Sequence, residues 1–215
     1  MIEKLSSSLA AVIAGYLHLD EDNKEVLAYG AFSIFQTIWS VGLVIIFGLL
    51  FGVLLEAFTI SLVGAILRKS AGGVHATSPN RCAAIGVIMS VGLALLMNMT
   101  EINSGIGLSS IFTLVCFLIT YYCIIKFSPM DTPNKPIVKA EVRLRLKKAS
   151  LKTVHICLMI TACSYVFFLS SHNYLALSTA TAISGGLLTQ AVSLTSFGSS
   201  IILNLDKMLN SLSIK

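Results

Sequence analysis

The chain has 215 residues, 55% of them hydrophobic and only 12% charged. That balance excludes an ordinary soluble domain and points to life in lipid. The net charge of +5 comes with no nucleic-acid recognition motif, so nucleic acid is not an expected partner.

Residues 1–30 form the first predicted unit, an amphipathic cytoplasmic segment. Leu5, Leu9, Val12, Ile13, Tyr16 and Leu17 recur at three-to-four spacing, the pattern of a helix lying at a membrane surface or against a bundle. Charges at both ends of its short apolar centre argue against a removable signal peptide.

A six-span membrane domain is expected over residues 31–200. The run from Ala31 to Leu67 would be about 55 Å long as one helix, against a hydrocarbon core of about 30 Å. It must fold back, and its lone charge, Glu56, marks the expected turn. Further spans are predicted at 83–99, 106–127, 153–170 and 175–200, followed by a C-terminal cytoplasmic tail, 201–215. Gly48 and Gly52 permit close helix contact within or between subunits, and Gly185 and Gly186 would bend the last span or pack it.

Lys and Arg gather in two loops, 68–82 and 128–152, while the turns near Glu56, Glu101 and His172 have none. Basic residues are retained on the cytoplasmic side, so both loops and, by the parity of six spans, both termini are expected there. The second loop carries seven basic residues against Asp131 and Glu141. It serves as a topology determinant, or attracts anionic lipid or an acidic peptide tail.

Of five cysteines, Cys116, Cys123, Cys157 and Cys163 lie in apolar runs, where thiols act as small hydrophobes. Cys82 alone keeps polar company, in RKSAGGVHATSPNRC. A histidine can take a thiol's proton, so His75 and Cys82 suggest a base and its nucleophile. On one straight helix they would stand about 10.5 Å apart, which is too far. Gly72, Gly73 and Pro79 supply the bend, with Ser78 as N-cap and Cys82 in the first turn of the next span. There the helix dipole, Arg81, Arg68 and Lys69 would favour thiolate. The plainer alternative is an interfacial loop whose histidine is solvated and whose cysteine is incidental. Two such side chains do not complete a metal shell, and no cofactor is expected.

The run Arg68, Ala71, Gly72, Gly73, His75, Ala76 and Cys82 resembles the AgrB family, integral-membrane cysteine endopeptidases of Gram-positive quorum sensing. So does SPMDTPNKPI, with Pro129, Thr132, Asn134, Lys135 and Pro136. The resemblance implies an all-α membrane protein whose catalytic pair is Cys82 and His75. Arg68, Gly73, Lys69, Arg81 and Lys135 would be substrate-binding or supporting residues. It further implies cleavage of an AgrD-like precursor peptide through an acyl-enzyme thioester, with cyclisation to a thiolactone or lactone, and a homodimer surrounded by membrane lipids. Glu56 is a candidate to orient His75, provided that it does not lie at the outer hairpin. A small peptide exporter and a scaffold without chemistry are the competing classes; the scarcity of charge within the spans counts against transport.

Overall fold

A computed structural model describes residues 2–131 and 139–213, apart from the side chains of 101–104, 212 and 213. The chain is an all-α membrane protein with no strand among the described residues. Its helices are α1 (Ile2–Leu17), α2 (Glu21–Leu50), α3 (Leu54–Ala71), α4 (Pro79–Phe127), α5 (Ala140–Ser171), α6 (Tyr174–Ser193) and α7 (Ser196–Ser213). Among the described residues, five segments are long and apolar enough to cross a membrane: α2, the two limbs of α4 (Pro79–Thr100 and Gly105–Phe127), α5 and α6. The sixth expected span corresponds to α3, which has 18 residues and carries Glu56, Arg68 and Lys69.

Helix α1 packs on α2 through Ser6, Ala10 and Ala14, while Leu5, Leu9, Val12, Tyr16 and Leu17 remain exposed. The apolar stripe seen in sequence therefore faces outward. Small side chains let two helices approach closely, which leaves the bulky face for a lipid surface. Asp20 caps α2 by accepting the Asn23 N–H at 3.0 Å, and α2 then runs unbroken past residue 30.

The α2–α3 hairpin turns at Phe51–Val53 rather than at Glu56. Glycine decides the place: Gly52 adopts a φ of 69°, and a Cβ on Gly48 would lie 2.9 Å from Leu54 Cα. A single charge proved a weaker signal than two glycines. Glu56 instead sits one turn into α3, where it accepts the Ser178 hydroxyl of α6 at 2.6 Å.

Helix α6 is the axis of the bundle. Leu177, Ala180, Ala182, Leu187 and Ala191 have no exposed surface, and it packs against α3, α4 and α5. It continues straight through Gly185 and Gly186, whose function is close packing: a Cβ on Gly186 would meet Ile60 O at 2.7 Å. By contrast, Ile46, Leu96, Leu114, Met159 and Val166 point outward from α2, α4 and α5. For a helix in lipid that is the favourable direction.

The two limbs of α4 are antiparallel, since Cys82 near its start and Met130 just beyond its end both lie beside the close of α3. The reversal falls at Gly105, where φ is 67°. Helix α6 stops at Ser193, earlier than the 175–200 span expected, and residues 196–213 form a separate helix that returns to the start of α4. The turns at Gly52, Gly105 and His172 thus lie at one end of the bundle, and the end of α3, Met130 and Ser150 lie together at the other.

Candidate active site

Helix α3 ends at Ala71 because Gly72 and Gly73 leave helical space, with φ values of 77° and 140°. Residues without a Cβ reach these angles freely. Space is scarce there as well. A Cβ on Gly72 would lie 2.5 Å from Met130 O, and one on Gly73 would meet Ser193 Oγ at 2.9 Å and Gln190 Nε2 at 3.2 Å.

Two side chains carried on helices hold the first half of the loop. Gln190 Nε2 of α6 donates to Gly72 O at 2.6 Å, and the Arg68 guanidinium donates to Val74 O at 2.8 Å. The Met130 N–H bonds Ala71 O at 2.9 Å, which brings the start of the second motif against the first.

Pro79 opens α4, and Cys82 lies in its first turn with its N–H bonded to Ser78 O at 2.9 Å. The bend returns His75 to it: Nδ1 stands 3.9 Å from Cys82 Sγ. The separation is at the long end for a contact to sulfur, but far below the straight-helix distance. His75 keeps exposed surface, and its partial desolvation together with the Arg68 charge lowers its pKa below the ordinary 6.5. A neutral imidazole is the form that can accept a proton.

Arg81 has a partner of its own. Its Nε lies 2.6 Å from Asp206 Oδ1 of α7, its Nη1 donates to Asn210 Oδ1 at 3.0 Å, and its Nη2 bonds the Thr77 hydroxyl. Lys69 is exposed on the last turn of α3, and Lys135 falls outside the described residues, as do Thr132, Asn134 and Pro136. Glu56 lies in the first turn of the helix whose last turn holds Arg68, about 18 Å away by helical rise, so it does not orient His75. Among the described residues no carboxylate forms an ion pair with His75. Gln190, Ser193 and Asp206 carried no signal in sequence, because each reaches the loop only through the fold.

Beside the start of α4 a groove of about 520 Å³ is lined by Ile2, Phe32, Gln36, Trp39, Pro79 and Asn80, among others. The Gln36 Nε2 is buried there without a hydrogen-bond partner.

A helical, multi-pass membrane protein with a cysteine–histidine pair beside a helix start is the class that this architecture defines. The chain belongs to the AgrB family: the family's profile, described as accessory gene regulator B, matches residues 6–194. It is 33% identical over 213 residues to the putative AgrB-like protein 2 of Clostridium perfringens strain 13, covering 99% of this chain and all of that one. A putative AgrB-like protein of C. perfringens strain SM101 is 34% identical over 215 residues, with the same coverage. Protein FsrB of Enterococcus faecalis is 28% identical over 134 residues, which is 61% of this chain and 52% of that protein. No solved structure matches the chain.

Proposed function

We propose that this protein is a membrane cysteine endopeptidase that matures an AgrD-like quorum-sensing peptide. The observation that carries the reading is the approach of His75 Nδ1 to Cys82 Sγ in a chain of the AgrB family. With its ring proton on Nε2, His75 takes the Cys82 proton, and the sulfur attacks a peptide carbonyl. Asn80 and Arg81 lie in the first turn, where N–H groups lack intrahelical acceptors, and they offer donors to the developing oxyanion. As the C–N bond breaks, the imidazolium returns its proton to the departing amine, leaving a thioester on Cys82. A cysteine within the precursor then displaces Cys82 and closes a thiolactone ring, or a serine closes a lactone. A tethered nucleophile outcompetes water because its effective concentration is far higher.

The apolar groove at Phe32 and Trp39 would hold precursor beside the nucleophile, and the basic residues of α5 would receive its acidic tail. Both basic loops and the termini lie on the cytoplasmic side in this reading, with lipid around the apolar faces. Residues 1–30 serve as a surface segment, 31–200 as the membrane domain and 201–215 as a cytoplasmic tail. The homodimer implied by the resemblance must use faces other than Gly48, which Leu54 covers.

Co-expression with a precursor tests the assignment. Wild type should release the C-terminal fragment, and a precursor lacking its ring-closing residue should accumulate as a hydroxylamine-sensitive adduct on Cys82. Processing by Cys82→Ala at the wild-type rate would sink the proposal.

Activity should fall as acid protonates His75, and the lowered pKa puts that acid limb below 6.5. Arg68→Gln removes one of the two causes of the lowering, so the limb should move to higher pH. A pH–rate profile of both proteins checks the direction.

A further inference from the structure

Between His75 and Cys82 the chain makes its bend, and one carboxylate touches both sides of it. Asp206 Oδ2 accepts the Thr77 N–H at 3.2 Å and the Thr77 hydroxyl at 2.7 Å, while Oδ1 accepts Arg81 Nε at 2.6 Å. Thr77 lies two residues after the histidine, and Arg81 immediately precedes the cysteine. Asp206 is 4% exposed, and these donors are what make its burial tolerable.

We propose that Asp206 is a positioning residue that sets the separation of His75 and Cys82 by gripping both flanks of the bend that joins them. The inference deepens the protease reading and rests on it. Upstream of His75 the loop is anchored by Arg68 and Gln190; downstream, Ser78 makes no side-chain cap of its own. Asp206 is thus the second anchor, and His75 is suspended between the two. It comes from α7, beyond the residues matched by the family profile, so the last helix completes the site from outside the bundle.

A carboxylate is required here because both oxygens accept. Asparagine has nearly the same shape but only one accepting oxygen, so its NH₂ would face either the Arg81 donor or the two donors of Thr77. Asp206→Asn therefore releases one flank without emptying the site.

The experiment uses the full-length protein in membranes and follows iodoacetamide alkylation of Cys82 by peptide mass at fixed neutral pH. Asp206→Asn should slow alkylation about tenfold when His75 is present and by less than about twofold in a His75→Ala background, the non-additivity expected of residues that act as a unit. Thr77→Val, a milder lesion that keeps the N–H, should move the rate the same way by less. With precursor supplied, Asp206→Asn should lower kcat and leave KM nearly unchanged, and Asp206→Glu should recover part of the loss.

An unchanged alkylation rate in Asp206→Asn, or equal slowing with and without His75, overturns the proposal. The alkylation assay needs no precursor. If Cys82 proved dispensable for processing, the protease reading would fall while a His75-dependent effect of Asp206 on the thiol still stood.

Discussion

Replacing His75 with alanine should lower precursor cleavage at neutral pH by roughly 10²–10⁴-fold, the usual worth of a positioned base. Two effects add here. The thiol loses its proton acceptor in the acylation step, and the departing amine loses its donor. The loss should shrink as pH rises, because solvent then generates the thiolate that His75 no longer does. The second role is not replaced in this way, so recovery should be incomplete. Single-turnover cleavage by wild type and His75→Ala between neutral and alkaline pH measures both parts. A constant ratio across that range would mean that His75 does not activate the sulfur. Cys82→Ser retains the shape and a poor nucleophile, and it should be more impaired than His75→Ala at alkaline pH.

What the sequence disclosed follows from the range of the signal. Helices and spans were legible because the apolar runs are long and the polar gaps short, and the AgrB motifs placed His75 and Cys82. The hairpin turns ahead of its isolated charge because Gly48 and Gly52 decide the place, and Glu56 finds a hydroxyl, Ser178, inside the bundle. The last span ends earlier than its composition suggests because the continuity of small and apolar residues in GLLTQAVSLTSFGSSIIL hides a break: the chain turns at Leu194–Thr195 with no proline or charge to announce it. Arg81 was legible as a basic residue near sulfur, but its commitment to Asp206 depends on a partner 125 positions away. Likewise Gln190 and Ser193 read as ordinary small or polar residues of a span until the fold sets them against Gly72 and Gly73.

Alanine at those two glycines should give two different outcomes. Gly72 faces backbone, and Met130 O at 2.5 Å from a new Cβ cannot rotate away. At a φ of 77° the side chain adds conformational strain of about 1–3 kcal/mol, and overpacking adds about 1–3 kcal/mol more. Gly72→Ala should therefore break the Met130–Ala71 hydrogen bond and lower thermal stability in detergent as well as activity. Gly73 faces side chains, and Ser193 Oγ can turn aside. A φ of 140° strains any side chain there too, by about 1–3 kcal/mol, but the larger cost falls on geometry: a loop displaced by about 1 Å can lose roughly 10²-fold in rate through misplacement of the reacting groups. Gly73→Ala should accordingly lose less stability than Gly72→Ala for a comparable loss of activity, and adding Ser193→Gly should restore the part of the rate lost to crowding, though not the part lost to backbone strain. If Gly73→Ala cleaved normally, or if Ser193→Gly gave no recovery, the tight seat of this glycine against α6 would not be what places His75 opposite Cys82.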